Sequence, residues 1–297
     1  MPGNALAVDA SHIPPPGTKP YVQFDGRLNT EFVLGAEFGE TKVDSSYSRF
    51  VFEVGGPLSR VTSMGVRLRL GVRDFAFDGD GQFLDAGRSS GEPFEELFEY
   101  SMTLGARIRL LDGLDLELTG RGISRIEQGA SFGSGLEGGG GLSLRGRYED
   151  WLVLRLGLGL QSDFDSSTVH VSPVFRLRLR LHDRLWAEAG GRSGRLEYTL
   201  TERVRIDFFG GMEGARYRLE DRRDGPGGVG EGSMRLNQTD VGVATRLTLQ
   251  EGLRLHLEAG VVLTQTLEIK DEDGESFDER ENRDPAFRGR IALKWRF

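Results

Sequence analysis

The chain has 297 residues, with 38 Lys and Arg against 46 Asp and Glu, a net charge of -8, 43 Gly and no Cys. Zero cysteines exclude a disulfide framework, a thiol nucleophile and zinc sites built on thiolates, and the acidic balance gives no general attraction to nucleic acid. No stretch approaches the roughly 18 consecutive apolar residues that a transmembrane helix needs, so a helical membrane protein is excluded as well.

Taken in chain order, residues 1–20 read as an unstructured segment ahead of a single unit over 21–297. Ala5, Leu6 and Ala7 resemble the small-x-small end of a secretory cleavage site, followed by the polar, proline-rich SHIPPPGTKP. The expectation is a misplaced start or a trimmed signal; the alternative is a plain cytosolic N-terminus. From there on, period two dominates. Val66, Leu68, Leu70 and Val72 share a face opposite Arg67, Arg69 and Arg73. Leu104, Ala106, Ile108 and Leu110 oppose Thr103, Gly105, Arg107 and Arg109, and Leu114, Leu116 and Leu118 oppose Asp115, Glu117 and Thr119. In WLVLRLGLGL, Leu152 to Leu160 alternate with Val153, Arg155, Gly157 and Gly159; in FRLRLRL, Arg176, Arg178 and Arg180 stand between Phe175, Leu177, Leu179 and Leu181. Two weaker, shorter strands flank Gly190 to Gly194, and Leu253, Leu255, Leu257 and Ala259 then oppose Arg254, His256, Glu258 and Gly260. No segment sustains a period of 3.6, so each run is a strand with one aliphatic and one polar face.

The joints alternate too. Tight turns fall at Gly56 to Ser59, Leu111 to Gly113, Glu149-Asp150, His182-Asp183, Thr201 to Arg203 and Gln250 to Gly252. The other joints are generally longer and polar, the largest being Asp78 to Glu96, Asp221 to Ser233 and Lys270 to Asp284. This is the pattern of an all-β, closed, antiparallel up-and-down transmembrane barrel of about 14 strands, with 12 as the fallback and both chain ends at the short-turn rim. Orientation follows from cost. A soluble barrel of that size would be too wide for aliphatic side chains to fill, whereas lipid needs no filling. An arginine facing lipid at mid-membrane costs about 2–4 kcal/mol. The leucines therefore face out and the arginines face a wet lumen.

The final strand, FRGRIALKWRF, places Phe287, Ile291, Leu293, Trp295 and the terminal Phe297 on one face, against Arg288, Arg290, Lys294 and Arg296. It resembles the last strand of bacterial outer-membrane β-barrel proteins, which typically ends in Phe after alternating apolar residues. The resemblance implies a porin-like barrel in the outer membrane of a Gram-negative cell. It also implies contact with outer-membrane lipid and lipopolysaccharide, and an assembly signal at Trp295 and Phe297 read by the barrel-assembly machinery.

Candidate chemistry is sparse. GSGLEGG at Gly133 to Gly139 contains GxGxxG, but strand pattern rather than a helix follows it, so no dinucleotide site is expected. His170 and Ser172 share a face without a third orienting residue, which leaves a barrel hydrolase as a distant alternative. The acidic runs DGDG (Asp78 to Gly81) and DEDGES (Asp271 to Ser276) miss the EF-hand register. No catalytic residue, cofactor or metal site is assigned. The functional lead is the lumen charge. Arg107, Arg109, Arg145, Arg155, Arg176, Arg178, Arg180, Arg288 and Arg290 are constriction candidates, expected to crowd toward the short-turn end. Inward carboxylates include Glu31, Glu53, Asp115, Glu117, Glu188, Glu197, Asp207 and Glu258. Either the two sets pair across strands and stiffen a plugged wall, or a cationic constriction favours anions. The first would be a structural or surface-binding barrel; the second, a passive channel for small anionic solutes. Neither takes nucleic acid as a partner.

Overall fold

A computed structural model describes residues 22–38, 41–78, 96–163, 166–221, 232–270, 276–282 and 284–297. The N-terminal segment 1–20 and most of the two acidic runs, DGDG and DEDGES, lie outside the described residues. The strands are β1 (Gln23–Phe38), β2 (Thr41–Pro57), β3 (Thr62–Asp78), β4 (Leu97–Leu111), β5 (Leu114–Glu127), β6 (Leu136–Tyr148), β7 (Leu152–Asp163), β8 (Ser166–His182), β9 (Leu185–Gly190), β10 (Ser193–Thr199), β11 (Val204–Arg218), β12 (Ser233–Gln250), β13 (Leu253–Lys270), β14 (Ser276–Glu281) and β15 (Ala286–Arg296). Neighbours in sequence pair antiparallel from β1 through β13. β15 pairs with the lower part of β13 on one side and with β1 on the other, which closes the sheet. β14 pairs with the upper part of β13, in line with β15, so the two together form the fourteenth wall strand. The sequence placed this stretch inside a long connection. Asn282 explains the split: its amide donates to the Gln265 carbonyl at 2.9 Å and its side-chain oxygen accepts from the Gln265 amide at 2.5 Å, holding the wall where the strand breaks.

All six tight turns lie at one rim. Two are two-residue hairpins with glycine at positive φ, Gly113 at 78° and Gly252 at 78°, the conformation that twisted hairpins demand. Each glycine carbonyl also accepts a bond from a neighbouring strand, Gly113 from Arg147 N at 2.7 Å and Gly252 from Arg296 N at 2.8 Å. β1 begins and β15 ends at this rim, where Phe297 N donates to the Phe24 carbonyl at 2.9 Å.

The faces follow the alternation. Leu156, Leu158, Leu160, Phe175, Leu257 and Ile291 are exposed on the outside, while Arg155, Arg107 and Arg288 are buried inside. By register, Leu154, Leu177, Leu179 and Leu255 share the outer face. Aromatic pairs mark both borders of the outer belt. Tyr148 and Trp151 (5.7 Å), Phe24 and Phe52 (6.2 Å), and Phe50 and Trp295 (6.2 Å) lie toward the short turns. Tyr100 and Phe132 (5.7 Å) lie toward the long connections. From Tyr100 to Leu110, a strand rising about 3.3 Å per residue and tilted about 40° covers about 25 Å, the height of a membrane-barrel belt.

The expectation of an interior too wide for aliphatic side chains to fill fails near the long connections. There the inward residues are apolar: Val33, Ala36 and Phe38 on β1, Val43 on β2, Leu97 on β4, Tyr217 on β11, Met234 and Leu236 on β12, and Val262, Leu267 and Ile269 on β13 form one buried cluster, with Phe75 and Phe77 packed against it. Filling is feasible because the ring narrows. Arg218 of β11 pairs directly with Ile126 of β5, so β6 to β10 are bypassed at this height. Two bulges turn the cluster inward, one between Val33 and Ala36 with Gly35 at φ 74°, and one where Thr239-Asp240 of β12 meets Val262–Thr264 of β13.

The same bypass leaves a gap in the wall. β9 and β10 have only 6 and 7 residues, and β9 pairs with β8 no higher than Arg176 and Gly190. β8 continues to Ser166 and β11 to Arg218. Among the described residues no strand pairs with β8 above Arg176, or with β11 between Gly211 and Arg218, on the sides that face each other; the β5 contact at Arg218 bounds the opening from above. The Phe175 carbonyl accepts from Gly191 N at 3.1 Å. By strand alternation Pro173 therefore turns its imide toward the same open edge, where a missing N–H breaks no ladder.

Candidate functional site: the arginine-lined lumen

Below the apolar cluster, inward charges pair across strands. Glu117 of β5 lies 2.9 Å from both Arg107 of β4 and Arg155 of β7. Arg290 meets Glu258 at 3.5 Å, Arg176 meets Glu188 at 2.5 Å, and Arg296 meets Asp25 at 2.8 Å. Arg109 stands opposite Asp115 in the β4–β5 ladder. A cavity of about 460 Å³ near the short-turn rim is lined by Arg145, Arg178 and Arg180 together with Arg147, Arg205 and Glu197. In it Arg178 stacks over Trp186 at 4.7 Å and reaches Glu197 at 3.5 Å, Arg205 lies 3.3 Å from Glu197, and Arg145 lies 3.7 Å from Asp115.

The predicted constriction is thus not one ring. Arg145, Arg178 and Arg180 come together near the short turns. Arg176 lies at the top of β9, opposite Gly190, and Arg288 lies higher still, opposite Val33 and Gly260. Arg288 is buried and donates to Glu31 at 2.8 Å, contacts Asp240, and has Glu213 at 3.9 Å. The physical reason is distance along the strand: at about 3.3 Å per residue, Arg176 and Arg288 stand progressively farther from the short-turn ends of β8 and β15 than Arg178 and Arg180 do.

Sequence reading missed a second group. A chamber of about 320 Å³ at mid-height is lined by Arg49, Arg69, Arg73, Arg125 and Arg192 against two carboxylates, Glu99 and Glu213. Glu99 is held between Arg125 at 2.9 Å and Arg69 at 3.3 Å. Arg73 and Arg49 lie over the Tyr47 ring at 4.6 and 5.5 Å. Several chamber atoms have no hydrogen-bond partner among the described residues: the Tyr47 hydroxyl, Nε of Arg49, Arg69 and Arg73, and both side-chain atoms of Gln238. Arg73 is 6% and Gln238 4% exposed, so these are costly orphans unless something polar reaches them. Arg69 and Arg73 were legible as inward from VRLRLGVR. Arg49 and Arg125 sit in SSYSRF and GISRIE, where both faces carry polar or small residues and the alternation is silent. The described residues hold no group of three or more His, Asp or Glu side chains able to bind a metal ion.

No protein-family model and no curated protein matches the sequence. Among solved structures, the chain is similar to the Pseudomonas putida toluene transporter TodX, at 11% identity and TM-score 0.42 over 93% of this chain and 89% of that one. It is similar to the translocator domain of the autotransporter NalP from Neisseria meningitidis, at 12% identity and TM-score 0.36 over 95% and 89%. It is also similar to the KdgM porin in complex with disordered oligogalacturonate, at 8% identity and TM-score 0.35 over 92% and 98%. The assignment of this wall to a membrane rests on its own outer face, apolar between two aromatic borders, and on its charged interior.

Proposed function

We propose that the protein is a porin-like channel of the bacterial outer membrane for small anionic solutes. The observation that supports this most is the mid-height chamber, where five arginines meet two carboxylates. Fixed positive charge within low-dielectric walls raises the local concentration of anions. The outer face suits lipid and lipopolysaccharide, and the last strand suits recognition by the barrel-assembly machinery. No catalytic step is assigned to the lumen.

A second reading, a structural barrel with a plugged lumen, is favoured by the apolar cluster, in which Phe38, Leu97, Met234 and Val262 are 0% exposed. Planar-bilayer recording of the purified full chain separates the two. The channel reading expects conductance with an anion-selective reversal potential across a salt gradient. The plugged reading expects none.

A further inference from the structure

We propose that the arginine chamber is loaded sideways, through the wall gap above the β9–β10 hairpin, by a single-chain amphiphile with an anionic head group. The inference rests on the anion-favouring lumen proposed above and names the route and class of its guest.

Three observations converge on the gap. First, it opens in the apolar belt. Val169, Val171 and Phe175 on β8 and Met212 on β11 flank it with exposed apolar side chains, Val171 at 64%. Its edges therefore meet hydrocarbon rather than water, on the side of the membrane toward the long connections.

Second, an apolar trough on the outer wall runs up to it. Cross-strand partners Leu177, Ala189, Gly194, Gly210 and Val241 form one outward row over β8 to β12. The three small residues in the middle leave a depression between Leu177 and Leu179 on one side and Phe208 on the other, with a volume of about 560 Å³. Its upper end, Ala189 and Gly194, is one residue from Gly190 and Ser193, which line the chamber.

Third, the chamber presents buried polar atoms without hydrogen-bond partners among the described residues, Arg73 Nε and the Gln238 side chain among them. A trough that suits an alkyl chain, ending at a cationic chamber that needs acceptors, matches one ligand chemistry. The chain lies against Ala189 and Gly194, and a carboxylate or phosphate passes over the hairpin to Arg49 and Arg73. The apolar cluster narrows the axial route from the long-loop end, and the lateral gap offers a separate way in from the lipid on that side.

The test titrates the full chain, in phosphatidylcholine vesicles, with a fluorescent long-chain fatty acid, the same chain as a phosphate monoester, its uncharged alcohol, and acetate. Saturable, protein-dependent binding of the fatty acid or the phosphate ester, with the alcohol and acetate at least about tenfold weaker, is expected from the worth of charge-assisted bonds and of chain burial. Whichever head group binds more tightly identifies the source of the anion. Arg49→Gln with Arg73→Gln should weaken the anionic amphiphile about tenfold and leave the alcohol unchanged. Gly194→Trp, where a Cβ would meet only Glu188 O at 3.8 Å, fills the trough and should weaken both. Ala189→Phe serves if that variant yields no heat-modifiable barrel. Gly120→Trp, on the outer wall of β5 with nothing within 4 Å of its Cβ, should change nothing. Equal binding of acid and alcohol, or full binding by a folded trough variant, overturns the proposal. Absence of conductance with binding retained removes the channel reading alone.

Discussion

The upper and lower halves of the barrel share strands, pleat and lipid-facing side chains, and differ in what those strands turn inward. Along β1 the interior reads Asp25, Arg27, Asn29, Glu31 and then Val33, Ala36, Phe38; along β13 it reads Arg254, His256, Glu258 and then Val262, Leu267, Ile269. A wide ring cannot be filled by side chains and stays charged and wet, while a ring narrowed by the β5–β11 contact can be filled and becomes a dry core. Circumference thus decides which chemistry the interior carries. The same narrowing that makes the plug leaves β9 and β10 short and opens the wall beside them.

The largest effect is expected from breaking the plug. Phe38→Ala with Leu97→Ala removes two fully buried side chains from the apolar cluster. At about 3–5 kcal/mol for a buried Phe and about 2–5 for a buried Leu, the pair should strongly destabilise the upper half. The lower half, pinned by its own ion pairs, should keep the chain closed. Single-channel conductance should rise severalfold and the temperature of heat-modifiable unfolding should fall. Unchanged conductance in a folded variant would mean that the cluster does not obstruct the axial path.

Arg288 stands at the border of the two halves. With Glu31 and Asp240 beside it and little water, Arg288→Ala should cost about 3–5 kcal/mol in urea unfolding, because two carboxylates are left buried without their cation. Arg176→Ala, whose partner Glu188 is partly exposed, should cost about 1 kcal/mol or less. Similar losses at the two sites would erase the distinction between dry and wet interior. On the outer face, Leu156→Arg should lower stability by about 2–4 kcal/mol, as for a charge at mid-membrane depth.

Most of this architecture was legible in the sequence, since period two and the alternation of tight and long joints specify strand number, closure and facing together. The plug was not, because the bulges at Gly35 and at Val262–Thr264 each shift the phase. Inward apolar residues such as Phe38 and Leu267 then fall on what a constant alternation assigns to lipid. The chamber was hidden because three different strands and a hairpin turn contribute its five arginines. One signal of the gap was readable: Pro173 interrupts β8 where a fully paired strand would exclude it. At the closure seam, Trp295 covers Gly26 and Phe32 covers Gly289, so the terminal strand is also a packing element. Deleting the exposed Phe297 should therefore lower assembly in cells more than it lowers the stability of barrels already folded, as read by heat-modifiable yield against urea midpoint.

The smallest effect is expected in the lower lumen. Arg107→Gln, Arg178→Gln and Arg290→Gln together remove three cations whose partners Glu117, Glu197 and Glu258 remain in place. Each substitution removes one positive charge from the lumen and leaves its carboxylate in place, so the sign of the change is fixed: reversal potential should move toward cations. Its size is limited because Arg155 still holds Glu117, Arg205 and Arg246 still hold Glu197, and His256 stays 3.1 Å from Glu258. Screening sets where to look. At about 0.1 M salt a charge acts over about 10 Å and reaches permeating ions, whereas at about 1 M the range is about 3 Å. The triple variant should therefore differ from the parent in dilute salt and converge with it in concentrated salt. By the same reasoning Arg49→Gln with Arg73→Gln, in the chamber where cations outnumber carboxylates, should shift selectivity more with two substitutions than the lower lumen does with three. The reverse ranking would place the selective region at the short-turn rim and leave the mid-height chamber a binding site off the conduction path.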